Sequence, residues 1–387
     1  MKGPSPARLR KYFCQRLRLD WYLDDPGDGR TFPQISASIL VWALLLGKML
    51  RVSSHLGVES LAALSGRSLG VAAPFCDDTL SYFTTLLDPE RSRRALTALV
   101  RGAKRGKAFE GEFIGLALDG TGSGRSAEKR CDLCHEQGKG WGHKWAAISV
   151  VGAGLDLPFD CEPFGPGDSE LSASSRMLER SVNALGRRFA DYVVVDALYA
   201  NAPFLHLCDT LGLPVIASLK SNLPELFEAA QARFRNQAPH HSFSYQGGRV
   251  EIWDAHDFEP WSDLRWPTVR VLRYRHYRKD GKVFEAYWLT NLFKLSPFAL
   301  FHLCKSRWEI ENQGFNDAKN RYGFTHIPHH EKNALLVNAL LTFLAMCVER
   351  LYRLRYLRRG THESYTAIEF CRLLWIALGR NEPYDTS

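Results

Sequence analysis

What the chain lacks narrows its class first. No apolar stretch approaches the ~20 residues that cross a bilayer; the longest run, 39–47, ends at Lys48. The N-terminus is basic but shows no signal-peptide order of basic, apolar and small-residue blocks. The nine cysteines are odd in number and mostly scattered singly. That suits free thiols in a reducing compartment better than a secreted disulfide framework. Long internal repeats and low-complexity tracts are also missing. These absences predict a globular protein of the cytoplasm, with no membrane partner. At 387 residues the chain has room for two or three domains. Acid is in deficit: 50 Lys and Arg against 42 Asp and Glu leave a net charge of +8. A basic balance fits an anionic partner without saying which.

What is present begins with a basic, aromatic segment. Lys2, Arg8, Arg10, Lys11, Arg16 and Arg18 precede the first acid, Asp20, with Tyr12, Phe13, Trp21 and Tyr22 among them. It reads as a DNA-contacting arm that neutralises phosphates, or as a solvated amphipathic helix that packs through its rings. Helix starts follow at Ser36 or Ser38, at Asp77-Asp78 and at Asp88-Pro89, with another helix over 58–64. The last of these runs to Arg101, Lys104 and Arg105. Residues 1–107 therefore form a helical region with a basic rim, suited to DNA, in which no recognition helix stands out.

From residue 112 the pattern changes. The apolar run 113–118 leads into Asp119-Gly120-Thr121-Gly122, which predicts a buried strand ending in an acid–glycine turn. Strands over 145–151, 157–164, 191–196 and 214–219 alternate with helices over 169–189 and 200–211, the mark of an α/β sheet with parallel members. After a helix over 224–235 the period turns to two at 242–245, 249–253, 268–274 and 284–290. Ser296-Pro297 opens a helix, and further helices cover 331–359 and 364–378. The expected organisation is a core over 108–238, a β-rich insertion over 239–292, a helical return to the core over 293–330, and a helical C-terminal region over 331–387.

Three acids stand out. Asp119 and Asp196 each end a buried strand, and Glu311 lies on the helix after the β-rich block, four residues from Arg307 on one helix face. Each has a plain alternative: a turn residue, a helix cap and a structural ion pair. Acids at the carboxyl ends of strands in one α/β sheet lie where such sheets gather ligands. Three carboxylates with few His or Cys nearby suit Mg²⁺ or Mn²⁺. Two such ions ~4 Å apart serve the attacking and leaving oxygens of a phosphodiester in an in-line displacement. A second candidate is Cys131-Asp132-Leu133-Cys134-His135 with His143 downstream, a metal-ligand spacing for a structural Zn²⁺. Its fourth ligand is not obvious, and the alternatives are a metal-free loop or a zinc hydrolase. His326, His329 and His330 are not taken as ligands.

The ordered set Leu118-Asp119-Gly120-Thr121-Gly122, Val195-Asp196-Ala197-Leu198-Tyr199, Leu289-Thr290-Asn291 and Arg307-Trp308-Glu309-Ile310-Glu311-Asn312 resembles the DDE transposases of bacterial insertion sequences. The insertion-sequence-four type is the nearest pattern, and the resemblance covers roughly residues 77–350. It implies a ribonuclease-H-like mixed sheet with flanking helices, interrupted by a β-rich insertion. It implies metal-dependent cutting of transposon ends by water, then attack of the freed 3′-hydroxyl on target DNA. Asp119, Asp196 and Glu311 would hold two Mg²⁺ (or Mn²⁺). Arg307, Lys319, Lys220, Tyr199 and Trp288, with Tyr287 beside it, would meet DNA, although a β-strand core explains Trp288 and Tyr287 at least as well. The partners implied are terminal inverted repeats and target DNA, with a homodimer pairing two ends, in the nucleoid-associated cytoplasm of a bacterium. Two positions depart from the family: Cys304 replaces its usual Tyr, and Ala318 its usual Lys. Lys319 is one residue further on, rotated by ~100° on a helix. Those departures favour the alternative of a catalytically impaired or domesticated DNA-binding descendant.

Overall fold

One sheet of ten strands organises the chain. The computed structural model describes residues 3–69, 74–111, 113–359 and 363–379; Lys2 of the basic segment and residues 380–387 of the C-terminal region lie outside them. Helices come first: α1 (Pro6–Lys11), α2 (Asp20–Asp24), α3 (Ala37–Met49), α4 (His55–Leu69), α5 (Asp77–Leu86) and α6 (Pro89–Arg105). Ser5 and Asp88 cap α1 and α6 by accepting from the Arg8 and Glu90 N–H groups, each ahead of a proline whose φ is already helical. α1 runs into a π-helical turn, Tyr12–Arg16. Tyr12 packs edge-on against Tyr352 and Tyr356 while Arg8, Lys11, Arg16 and Arg18 stay exposed. The start of the chain is thus an amphipathic helix with a basic outer face.

The sheet is built from β1 (Gly115–Ser126), β2 (Cys134–Gln137), β3 (Gly140–Val151), β4 (Leu157–Phe164), β5 (Tyr192–Val195), β6 (Val215–Leu219), β7 (His241–Tyr245), β8 (Gly248–Phe258), β9 (Val269–Tyr277) and β10 (Val283–Thr290). Helices α7 (Glu170–Leu185), α8 (Ala202–Leu211) and α9 (Pro224–Phe234) connect them. The spatial order is β2-β3-β1-β5-β6-β10-β9-β8-β7, with β4 also on β3. β1, β5 and β6 run parallel and every other pairing is antiparallel. The β-rich block continues the core sheet, since β10 pairs with β6 over four residues, from Tyr287 opposite Leu219 to Thr290 opposite Ile216. β6 is buried at all five positions and would otherwise be an apolar edge.

One expectation is corrected. β1 does not stop at Asp119 but runs through Gly120, Thr121 and Gly122 to Ser126. Pairing overrides turn propensity here: β3 offers a partner to every residue from Gly115 to Ser123.

The chain then returns through α10 (Pro297–Glu309), a π-helical turn Ile310–Phe315 and α11 (Asn316–Arg321). α12 (Lys332–Tyr356), a two-residue hairpin of β11 (Arg358–Arg359) and β12 (Glu363–Ser364), and α13 (Ala367–Ala377) complete it. α10 lies over β1, β5 and β6, and α7 lies over β1, β3 and β4. Leu300 and Phe301 of α10 are fully buried, which stabilises the docking by about 1.5–3 kcal/mol each. By length and composition α12 would cross a membrane, but 89% of its most apolar window is buried against α3, α5, α6 and β4.

Candidate active site

The register of the parallel pair brings two acids level. Gly115 lies beside Tyr192 and Ala117 beside Val194, an offset of 192 − 115 = 77, and 119 + 77 = 196 puts Asp119 level with Asp196 just beyond the last parallel pair. Asp196 also does the capping work of its alternative reading: its Oδ1 accepts from the Leu198 N–H at 2.8 Å, starting the 3₁₀ turn Ala197–Tyr199.

Glu311 joins them from the helix side. Arg307 is buried, and its guanidinium reaches Glu311 Oε1 at 2.6 Å and Asp119 Oδ2 at 3.6 Å. The helical pair of the sequence is therefore the bridge between helix and sheet. Burial, with the Glu311 and Asp196 carboxylates nearby, pushes the Asp119 carboxyl up to about 7, against the opposing pull of Arg307 and of the Gly120 N–H. The acids are spaced rather than clustered. Among the described residues the one His/Cys/Asp/Glu group with all ligand atoms within 4.8 Å of one another lies elsewhere. A set of oxygen-only donors, two of them joined by a guanidinium, fits hard divalent cations, which keep part of their coordination for water and phosphate.

Two further carboxylates were missed in the sequence. Glu170, at the start of α7, lies over Gly120: a Cβ there would come within 1.9 Å of Glu170 Oε2. Tyr199 donates to Glu170 Oε1 at 2.9 Å, and burial raises the Glu170 pKa, with Asp196 adding to it. The glycine in Asp119-Gly120 was the available signal, since close approach of another group is one reason for glycine in a strand. Glu309 accepts from the Gly152 N–H at 2.9 Å and so ties the end of α10 to the β3–β4 turn. Burial pushes its carboxyl up to about 7.

Lys319 reaches the site by an unexpected route. The turn Ile310–Phe315 is π-helical, and the Asn316 N–H bonds to the Glu311 carbonyl five residues back. A π turn takes about one residue more than the 3.6 of an α turn. Eight residues from Glu311 to Lys319 therefore make two full turns, as seven do on a regular helix. Lys319 is half-buried within electrostatic reach of Asp119, and Ala318 is fully buried in the core.

Other expected contacts fall out differently. Tyr199 is fully buried, its hydroxyl shared between Ser174 and Glu170, so it positions a carboxylate and offers DNA no face. Trp288 is a core residue, packed edge-on against Trp308, because the inward side of β10 lies under α10. Tyr287 is buried too, its hydroxyl on Glu285. The accessible ring is Trp308, half-buried in a cavity of about 540 Å³ with Tyr245, Phe284, His302 and Lys305, whose Nζ lies 4.3 Å from the Trp308 ring centre. Cys304 is fully buried, so its position meets the core and not solvent. Lys220 is exposed just beyond β6, at the same end of the parallel strands as the acids. Cys131, Cys134 and His143 come together as the spacing predicts, and His330, which sequence reading set aside, joins them.

The transposase DDE domain family matches residues 157–348. The match takes in Asp196 and Glu311 and begins beyond Asp119. No curated protein matches the chain. Among solved structures, piggyBac transposase in a synaptic complex with hairpin DNA is similar in fold, at 10% identity and a TM-score of 0.50, covering 100% of this chain and 85% of that one. Over residues 157–348 the chain thus matches the transposase DDE domain family, and DNA transposition is the function this supports.

Proposed function

We propose that Asp119, Asp196 and Glu311 form the catalytic centre of a cut-and-paste transposase of the insertion-sequence-four type, from the nucleoid-associated cytoplasm of a bacterium. The observation that carries this is the convergence of Asp119, within β1, and Asp196, just after β5 and level with it in register, with a helix carboxylate, Glu311, that Arg307 bridges to Asp119. When bound, a pair of Mg²⁺ (or Mn²⁺) ions supplies Lewis acidity to the attacking and leaving oxygens of the phosphodiester. The three acids would hold them. In the free protein Arg307 balances Asp119 and Glu311. With cations held by those acids, the Arg307 guanidinium would be free to pair with a phosphate, for which its planar fork is suited. Lys319, on the same face two turns on, neutralises the strand beyond. The one-residue offset that favoured an impaired descendant is absorbed by the π turn. The exposed cations of α1, with Arg101 and Arg105 at the end of α6, supply positive charge for the terminal inverted repeats and target DNA, and a homodimer pairs the two ends.

The test is Asp196→Asn and Asp119→Asn in purified protein, incubated with the element's terminal repeats and Mg²⁺ or Mn²⁺. Both substitutions abolish nicking and strand transfer while far-ultraviolet circular dichroism and DNA binding persist. Unchanged cleavage in Asp196→Asn removes this active site.

A further inference from the structure

We infer that Cys131, Cys134, His143 and His330 form a closed tetrahedral Zn²⁺ site that fastens the segment following the Glu311 helix to the β2–β3 hairpin, whose β3 pairs with the strand that carries Asp119. Three of these residues lie on or just before the β2–β3 hairpin, where Cys134 and His143 are directly opposite in register. His330 lies in the loop before α12, 330 − 143 = 187 residues further along the chain. Their four ligand atoms all lie within 4.8 Å of one another, although no bond of the backbone requires it.

The spacing is that of zinc ligands. With Zn–S of ~2.3 Å and Zn–N of ~2.05 Å, a tetrahedron sets sulfur from sulfur at ~3.8 Å and sulfur from nitrogen at ~3.5 Å. Here Cys131 Sγ is 3.8 Å from Cys134 Sγ, and His143 Nε2 is 3.3 and 3.5 Å from the two sulfurs. His330 Nε2 is 3.2 Å from Cys134 Sγ. Hydrogen bonding alone explains this poorly. Cys134 Sγ faces two imidazole nitrogens and has a single S–H to give. His143 is fully buried, and its Nδ1 has no partner among the described residues, so Nε2 is the atom through which the ring is satisfied. A sulfur–sulfur distance of 3.8 Å also rules out a disulfide. Two thiolates and two neutral imidazoles around Zn²⁺ carry no net charge, which makes burial of the site cheap. With four protein ligands there is no open position, so the metal is structural.

The site lies beside the chemistry without touching it. Gly124 of β1 packs against Ile327 so closely that a Cβ there would come within 2.2 Å of Ile327 Cδ1. The 325–330 segment thus lies on the outer half of the strand whose inner half carries Asp119. Fastening both ends of that contact fixes the exit of the Glu311 helix relative to Asp119. This differs in chemistry from the proposed Mg²⁺ centre and does not depend on it.

The experiment is metal analysis of the full-length protein, purified without chelator and without DNA. About one zinc per chain is expected. Cobalt(II) in its place gives a thiolate charge-transfer band, and a zinc-selective chelator lowers the thermal midpoint by several degrees. His330→Ala weakens zinc binding by at least about 10²-fold, and His330→Cys restores it. Two results overturn the proposal. One is less than a tenth of a zinc per chain, with no cobalt–thiolate band on reconstitution. The other is a His330→Ala protein whose zinc affinity matches wild type. Because all readouts are taken without Mg²⁺ and DNA, failure here leaves the Asp119–Asp196–Glu311 reading untouched.

Discussion

Arg307 is the residue on which two carboxylates depend. Its guanidinium spans Glu311 at 2.6 Å and Asp119 at 3.6 Å from a buried position. A planar fork can do this and a point ammonium cannot. Arg307→Ala should therefore lower terminal-repeat cleavage on the order of 10²-fold, the usual loss when a preorganised charge partner is removed, and Arg307→Lys should recover little of it. Cleavage within threefold of wild type in both variants would reduce Arg307 to a structural ion pair. Lys48 gives a separate test of the core. Burial lowers its pKa from the usual 10.5 to about 7, and its Nζ donates to Asn338 Oδ1 at 2.7 Å. Between those two values the unfolded chain holds the proton and the native state does not. Stability therefore falls as pH drops from about 10.5 to 7, with no further loss below. The difference in thermal midpoint, Lys48→Met minus wild type, should be more positive at pH 7 than at about pH 9.5. A flat difference would mean that Lys48 stays charged in the fold.

At the scale of elements, the π turn decides how the Glu311 helix meets the sheet. It makes a strong prediction about length. Deleting Asn312, an exposed residue of the turn, should close it to a regular α turn and leave everything downstream in place, with Lys319 still beside Asp119. In an ordinary helix the same deletion rotates every later residue by ~100°. The deletion protein should fold and keep more than a tenth of wild-type cleavage. The exchange Ala318→Lys with Lys319→Ala should not be tolerated, because it buries an unpaired ammonium, at a cost of ~3 kcal/mol or more. Urea unfolding midpoints measure both; a stable exchange variant would show a regular helix instead. This turn was beyond sequence reading, since an i→i+5 bond leaves no mark in the apolar pattern. The caps were within it: Asp88-Pro89 and Ser296-Pro297 start helices because their signals are local. Asp119 was found but misplaced at a turn, because its glycines look like turn residues until β3 pairs with them. Trp288 was read toward DNA and lies in the core, since alternation along β10 says which residues share a face and not which face is covered. His330 was set aside because only the closed fold carries it to His143.

The whole molecule is held together at Arg350. From α12 it donates to the Asp156 carbonyl at 2.7 Å and carboxylate at 2.6 Å, to Asp317 of α11 at 3.0 Å, and to the carbonyl of Gln313 inside the π turn. One side chain thus joins the C-terminal helix, the start of β4 and the helix that carries Glu311. Asp156 and Arg350 also flank the 157–348 stretch that matches the transposase DDE domain, so its two ends are pinned to each other. Asp156 is fully buried, and burial raises its pKa against the pull of Arg350. Taking the guanidinium away strands that carboxylate in a low dielectric. Arg350→Met should therefore cost ~3–5 kcal/mol. Asp156→Asn combined with Arg350→Met should recover part of this, because the stranded charge is gone. If the loss comes mainly from that charge, the double variant is more stable than Arg350→Met alone, and its melting loses the pH dependence that the single variant acquires as Asp156 takes up a proton. If the loss comes mainly from the carbonyl of Gln313, the double variant is no better than the single, and both show reduced cleavage because the turn below Glu311 has relaxed. Denaturant unfolding of the three proteins at pH 5 and pH 8 separates the two cases. A loss under about 1 kcal/mol in Arg350→Met removes Arg350 from this central position.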